Sequence, residues 1–176
     1  MAQNTLRQTQ SIEAGDHLSY MKLALSLATQ SPPKPTNYRV GAVVVEVTTN
    51  EILSTGYTLE LPGNTHAEQC CFEKLSEKHG VSASRLGEVL PDEVALYTTV
   101  EPCSHRLSGN LPCVERILAI GDKIKTVYVG VQEPEKFVSG NSSKQKLENA
   151  GIAFVHVAGL EKDILEVATA GHENPA

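Results

Sequence analysis

The sequence predicts an α/β fold, a three-layer α/β/α sandwich built on a mixed five-stranded sheet. Segments with apolar residues at helical spacing alternate along the chain with short runs rich in β-branched residues. This alternation is typical of helices packed on both faces of a sheet. The first two such runs, residues 40–47 and a run ending near Tyr57, are separated only by Thr48-Thr49-Asn50. They predict an antiparallel hairpin, so we expect strands of both directions in the sheet.

The length of the chain predicts one domain. Its 176 residues with 40% hydrophobic content suffice to bury a core without disulfides. Residues 15–170 are predicted to form this domain, and the polar segments 1–14 and 171–176 are predicted to be flexible tails.

The elements follow one another with recognisable boundaries. A first helix is predicted over residues 18–28, and the cluster Ser31-Pro32-Pro33-Lys34-Pro35 ends it. A second helix is predicted from His66 to about residue 78, capped by Asn64 or Thr65, which places His66 in its first turn. The remaining strands and helices are predicted, in alternation, over residues 93–100, 113–120, 125–131, 143–150, 152–157 and 160–170.

One histidine and two cysteines stand at the entrances to these elements. His66 opens the second helix, Cys103 follows the strand at 93–100, and Cys113 opens the next helix. An imidazole and two thiolates are ligands that Zn²⁺ prefers, and three protein ligands leave one tetrahedral position for water, whose pKa the metal lowers toward about 7. Glu68 is predicted to be the catalytic acid and base that moves protons beside this site. The sequence therefore predicts one catalytic zinc ion per chain.

Other residues of the same kinds have simpler interpretations. Cys70 lies four residues after His66 on the same predicted helix and is a rival ligand, but a fourth protein ligand would exclude water. We therefore predict that Cys70 and Cys71 pack in the core. Glu68 alone would also be an ordinary first-turn carboxylate that favours the helix dipole.

Charge and hydropathy exclude several classes of protein. The net charge of −6 argues against a protein that binds nucleic acid through phosphate neutralisation. No apolar stretch approaches the roughly 20 residues of a membrane span, and the first fifteen residues are too polar for a signal peptide. We therefore predict a cytoplasmic protein that contacts neither nucleic acid nor membrane, with its four cysteines as ligands or buried thiols.

Three segments resemble a known family. The ligand pattern, the strand order and residues 40–45 (VGAVVV) resemble the cytidine-deaminase-like zinc hydrolase superfamily over residues 18–159. Residues 61–70 (LPGNTHAEQC), 97–104 (YTTVEPCS) and 106–113 (RLSGNLPC) are similar to the riboflavin-pathway deaminases within it. His-x-Glu followed by Pro-Cys and a second Cys is the pattern of zinc nucleobase deaminases. The nine residues between Cys103 and Cys113 exceed the common spacing of two. This long interval resembles the riboflavin-pathway pyrimidine deaminases, in their fungal version.

The resemblance implies a reaction and an assembly. It implies hydrolytic deamination of 2,5-diamino-6-(ribitylamino)pyrimidin-4(3H)-one 5'-phosphate to 5-amino-6-(ribitylamino)uracil 5'-phosphate and ammonia, by a stand-alone homodimeric enzyme. Alternatives are a cytidine, cytosine or guanine deaminase of the same superfamily, and a non-catalytic interaction module stabilised by zinc. The length of the loop between the cysteines discriminates among the deaminases, and the open metal position argues against the module.

The resemblance also implies a substrate pocket. Asn37 matches an asparagine that contacts the pyrimidine in related enzymes, although it could be an ordinary turn residue. The polar loop at 104–111 is expected to wrap the ribityl phosphate, with Arg106 either on the phosphate or a solvated charge. The predicted substrate-binding residues are Asn37, Asn64, His66, Ala67, Glu68, Cys103, Ser104, His105, Arg106, Ser108 and Asn110.

Overall fold

A mixed five-stranded sheet lies at the centre of the computed structural model, which describes residues 11–132 and 143–172. The strand order is β2-β1-β3-β4-β5. β1 pairs antiparallel with β2 and with β3, whereas β3–β4 and β4–β5 are parallel pairs. The strands are β1 (Gly41–Glu46), β2 (Glu51–Tyr57), β3 (Val94–Val100), β4 (Ile124–Val131) and β5 (Ala153–His156).

Helices cover both faces of this sheet, which confirms the predicted three-layer sandwich. α1 (His17–Ala28) and α5 (Glu161–Ala168) pack on one face, around Met21, Val43 and Ile164. α2 (Ala67–His79), α3 (Cys113–Ile120) and α4 (Ser143–Asn149) pack on the other. A short 3-10 helix (Ala83–Glu88) in the connection before β3 was not predicted, because its six residues carry no helical apolar periodicity.

Side chains form hydrogen bonds with backbone groups at both ends of the first helix. Asp16 Oδ1 accepts a hydrogen bond from the backbone N–H of Ser19 at 3.1 Å and caps the N-terminus. At the other end, Arg39 donates to the carbonyl oxygens of Thr29 and Ser31. The prolines at 32, 33 and 35 then prevent further helix, as the sequence predicted.

The predicted hairpin of β1 and β2 is confirmed and contains a bulge. Val44 pairs with Ser54 and Val45 with Ile52, so Leu53 is the extra residue on β2. All residues of β1 except Glu46 are buried because this strand is central and covered on both faces.

The second helix begins one residue later than the sequence predicted, and its cap is a different residue. His66 has the extended backbone of an N-cap (φ −90°, ψ 159°), and its N–H donates to Gln69 Oε1 at 3.4 Å. Thr65 Oγ1 instead donates to the carbonyl oxygen of Leu61 at 2.9 Å. The prediction that Asn64 or Thr65 caps the helix is therefore wrong, because the loop backbone competes for the Thr65 hydroxyl.

The two predicted tails are only partly described. Residues 1–10 and 173–176 lie outside the described residues. Ile12 packs against the α1–α5 side of the core, and its carbonyl oxygen accepts a hydrogen bond from Asn50 at 2.7 Å. His172 Nε2 lies 2.9 Å from the carbonyl oxygen of Asn37. Among the helices of the described ranges, none is long and apolar enough to cross a membrane.

Candidate metal centre and active site

His66, Cys103 and Cys113 converge at the N-termini of α2 and α3. The Nδ1 atom of His66 lies 3.6 Å from Cys103 Sγ and 3.4 Å from Cys113 Sγ, and the three candidate ligand atoms all lie within 4.8 Å of one another. The parallel pairing of β3 with β4 places the end of β3, and hence Cys103, beside the start of α3. The fold thus brings Cys103 and Cys113, which follow His66 by 37 and 47 positions in the sequence, to the same point as the histidine.

These distances fit a tetrahedral zinc ion. Zn–S bonds of about 2.3 Å and Zn–N bonds of about 2.0 Å at tetrahedral angles require sulfur and nitrogen atoms roughly 3.5 Å apart. The observed separations of 3.6 and 3.4 Å agree with this value. In the described residues no other group of three or more His, Cys, Asp and Glu side chains could hold a metal ion.

The start of α3 favours a thiolate at Cys103. The Cys113 N–H donates to Cys103 Sγ at 3.3 Å, and this N–H belongs to the first turn of α3, where the helix dipole is positive. A hydrogen bond from the Cys113 side chain lowers the pKa of Cys103 to about 4. The same hydrogen bond, together with burial, raises the pKa of Cys113 well above its ordinary value.

Glu68 lies beside the three ligands with its carboxyl group buried. Its side chain is in the first turn of α2, and the residue is 4% exposed. Oε2 lies 3.5 Å from Cys113 Sγ, and Oε1 accepts a hydrogen bond from Thr98 Oγ1 at 2.9 Å. Burial raises the pKa of Glu68, and His66 opposes this shift. A buried carboxyl group with a raised pKa is suited to proton transfer near neutral pH.

A cavity of about 170 Å³ opens over this group and collects several of the predicted residues. Asn37, Asn64, His66, Glu68 and Cys103 line it. Asn37 comes from the α1–β1 loop and Asn64 from the β2–α2 loop, and Asn37 Nδ2 donates to Asn64 Oδ1 at 3.0 Å. The two loops that carry these amides therefore meet at the lining of the cavity.

Other residues predicted to bind substrate do not line this cavity. Ala67 is fully buried at the start of α2. His105, Ser108 and Asn110 are exposed on the loop between the cysteines, and Ser104 is half-buried there.

Arg106 points inward from the same loop. It is 7% exposed, and its guanidinium donates to the Asn64 carbonyl oxygen at 2.6 Å and to Gln69 Oε1 at 3.1 Å. Gln69 Oε1 also accepts from the His66 N–H. Arg106 thus ties the loop that joins both cysteines to the segment that carries the histidine, and the solvated-charge interpretation of Arg106 is wrong.

Cys70 and Cys71 pack away from the ligand group, as predicted. Both are fully buried, and Cys71 Sγ lies 3.6 Å from the Ala42 carbonyl oxygen. Burial raises the pKa of both thiols. Neither residue belongs to the group that could hold a metal ion.

Some residues at the site were not found from the sequence. Thr36 and Tyr38 flank Asn37, and Glu101 precedes Pro102-Cys103, so their adjacency to predicted residues was a signal for them. Thr98 had a different signal, because a polar residue interrupts a strand that is buried over its whole length. The residues that line the cavity and were not predicted are Thr36, Tyr38, Val40, Thr58, Val100 and Glu101.

The fold and the ligand group define a class of protein. Residues 14–131 match the family model described as the cytidine and deoxycytidylate deaminase zinc-binding region. The chain belongs to this family, and the metal for which His66, Cys103 and Cys113 are placed is zinc.

Individual relatives narrow the comparison. The chain is 36% identical over 157 residues to the diaminohydroxyphosphoribosylamino-pyrimidine deaminase of Schizosaccharomyces pombe. The aligned region covers 89% of this chain and 36% of that protein. It is 37% identical over 153 residues to the riboflavin biosynthesis protein RibD of Aquifex aeolicus, covering 85% of this chain and 36% of that one. The chain therefore spans about a third of the length of these curated relatives.

The Rib2 deaminase of Aspergillus oryzae is a similar solved structure. The crystal structure of its C-terminal deletion mutant at pH 4.6 has 50% sequence identity and a TM-score of 0.83, covering 90% of this chain and 93% of that one. The same protein has been solved in complex with DARIPP, with 49% identity, a TM-score of 0.81 and coverage of 90% and 92%.

Proposed function

We propose that this protein is the zinc-dependent pyrimidine deaminase of riboflavin biosynthesis. It would convert 2,5-diamino-6-(ribitylamino)pyrimidin-4(3H)-one 5'-phosphate to 5-amino-6-(ribitylamino)uracil 5'-phosphate and ammonia. The observation that carries this proposal is a buried carboxyl group, Glu68, beside three zinc ligands at a polar cavity. The names of the relatives, and the complex of the Aspergillus oryzae deaminase with DARIPP, support the choice of substrate.

The reaction replaces a carbon–nitrogen bond by a carbon–oxygen bond. Water supplies the oxygen and two protons, of which one goes to the adjacent ring nitrogen and the other to the departing amine. Zinc, when bound by His66, Cys103 and Cys113, would supply Lewis acidity, which lowers the pKa of water. Glu68 holds and moves the protons, because its Oε2 faces the ligand group and its raised pKa allows it to accept and release a proton.

Asn37 and Asn64 are proposed to bind the pyrimidine ring. Amide groups offer both donors and acceptors, which match the alternating polar groups on the edge of such a ring. Their mutual hydrogen bond at 3.0 Å fixes both side chains at the cavity. Because they come from two loops, a bound ring would contact both the α1–β1 and β2–α2 connections.

The loop between Cys103 and Cys113 is proposed to bind the ribityl phosphate. Ser104, His105, Ser108 and Asn110 bring polar groups to this loop, and both of its ends are zinc ligands. Arg106 supplies the positive charge. Its guanidinium is buried, and the two oxygen atoms that accept its hydrogen bonds, on Asn64 and Gln69, are neutral. A buried positive charge that these acceptors do not neutralise favours an approaching anion.

A homodimer in the cytoplasm is part of the proposal. The cytoplasm is reducing, which keeps Cys103 and Cys113 available as ligands. Analytical ultracentrifugation of the zinc-loaded protein at micromolar concentration tests the oligomeric state. A sedimentation coefficient of a single chain would contradict the dimer without affecting the proposed chemistry.

A substrate panel tests the proposed reaction. Ammonia release is measured with the phosphorylated ribitylaminopyrimidine, its ribosyl analogue, cytidine, cytosine and guanine. We expect kcat/KM to be highest for the phosphorylated ribityl compound. A higher value for cytidine or guanine would refute the pathway assignment, and zinc-loaded protein that deaminates none of these compounds would refute the enzymatic proposal.

A further inference from the structure

Thr98 has a buried hydroxyl group on β3, a strand whose seven residues are all buried. It lies on β3, between β1 and β4, where Ala42 and Val129 are its neighbours in register. The residue is 0% exposed. Burial of a hydroxyl group lowers stability unless a hydrogen bond compensates for the lost water, so its partners are informative.

Those partners include the Glu68 carboxyl group. Thr98 Oγ1 lies 2.9 Å from Glu68 Oε1 and 2.9 Å from the Val100 carbonyl oxygen. The hydroxyl has one hydrogen, so it donates to one of these oxygens at a time. It can donate to Glu68, or it can donate to Val100 and accept a hydrogen bond from Glu68. Thr98 can therefore stay bonded to Glu68 before and after a proton moves.

The two carboxyl oxygens of Glu68 consequently have different environments. Oε1 is engaged by Thr98, and Oε2 lies on the side of the ligands, 3.5 Å from Cys113 Sγ. The last torsion of a glutamate side chain is broad and does not fix the orientation of the carboxyl group by itself. A hydrogen bond from Thr98 to Oε1 therefore restricts the direction in which Oε2 points.

We propose that Thr98 is a positioning residue that orients the Glu68 carboxyl group, so that Oε2 faces the metal ligands during the reaction. Thr98 acts only through Glu68, and the cavity residues do not include it. The proposal rests on the proposed function, in which Glu68 moves protons. It predicts a loss of turnover without a loss of zinc or of substrate affinity.

Three variants separate the hydroxyl group from the rest of the side chain. Thr98→Val removes the hydroxyl at nearly constant volume, and Thr98→Ser keeps it. Thr99→Val is the matched control, because Thr99 is on the same strand, is also 0% exposed, and bonds to Gly41 N at 3.1 Å instead of to Glu68. For each variant, zinc per chain, kcat and KM are measured with the phosphorylated ribitylaminopyrimidine.

We expect Thr98→Val to keep one zinc per chain and a KM within about twofold of wild type, while kcat falls about tenfold or more, as loss of a hydrogen bond to a charged group implies. Thr98→Ser and Thr99→Val should stay within about threefold of the wild-type kcat. Retention of kcat by Thr98→Val, equal losses for Val and Ser, or loss of zinc would each overturn the proposal. If Thr98→Val does not fold, Thr98→Ala compared with Thr98→Ser decides the same question.

Failure of this proposal is distinguishable from failure of the proposed function. A wild-type protein that releases no ammonia refutes the function. In that case crystal structures of zinc-loaded wild type and Thr98→Val still test Thr98. We expect the Glu68 carboxyl group to rotate in the variant, and an unchanged carboxyl orientation would overturn the positioning role.

Discussion

Gly56 on β2 lies directly beneath the carbonyl oxygen of Ala67 at the start of α2. A β-carbon at position 56 would overlap that oxygen and would lie 3.0 Å from both the backbone nitrogen and Sγ of Cys71. The helix that carries Glu68 can therefore approach the sheet closely only because residue 56 has no side chain. The depth of α2 on the sheet sets the positions of His66 and Glu68.

Gly56→Ala should destabilise the protein and weaken zinc binding. The overlapping atom belongs to the backbone, so α2 must shift, and overpacking of this kind typically costs about 1–3 kcal/mol. Chemical denaturation and a competitive zinc chelator measure the two effects. Glu51→Ala, an exposed change on the same strand, is the control. Unchanged stability and zinc affinity in Gly56→Ala would show that α2 is not held by this contact.

Glu68→Gln should retain zinc and lose turnover. The amide keeps the size of the side chain but does not accept and release a proton, and general acid–base catalysis typically contributes about 10²–10⁴-fold. Metal analysis and ammonia release are the measurements. Glu77→Gln, an exposed change on the same helix, is expected to be as active as wild type. Near-normal ammonia release by Glu68→Gln would contradict the proposed role of Glu68.

Cys103 should be the fastest thiol to react with iodoacetamide once zinc has been removed by a chelator. The thiolate is the reactive form, and with a pKa lowered to about 4 Cys103 is already ionised at pH 6. Its rate should therefore change little between about pH 6 and 8, whereas an ordinary thiol reacts faster with each unit of pH.

Mass spectrometry of peptides identifies the modified residue. Cys70 and Cys71 serve as internal controls, since burial raises the pKa of both and shields them. We expect them to react only on unfolding. Modification of Cys71 before Cys103 in the folded protein would be inconsistent with the structure.

Arg106→Ala should weaken binding of the phosphorylated substrate more than binding of its dephosphorylated analogue. The expectation follows from a charge–charge attraction that only the phosphate provides. KM values for the two compounds are compared. Arg116→Ala is the matched control, because Arg116 also donates to a backbone oxygen of this loop, that of Leu111 at 3.3 Å. Equal losses for both compounds would leave Arg106 with the structural role seen in its bonds to Asn64 and Gln69.

Much of this protein was determined by the sequence alone. The alternation of apolar patterns predicted five strands, five helices and a mixed sheet, because the period of buried residues is a local property of each element. His66, Cys103 and Cys113 were identified as ligands because few other functions require one imidazole and two thiolates at helix entrances. The predicted family is confirmed by the family model that matches residues 14–131.

Only the tertiary structure decided which side chains meet. Thr98 contacts Glu68 across 30 positions, and Arg106 turns inward to Asn64 across 42. Sheet register and the depth of α2 above Gly56 bring these residues together, and no local pattern records either quantity. Metal ligands can be recognised from the types of residue in the sequence. The orientation of a carboxyl or guanidinium group instead depends on partners that only the folded chain supplies.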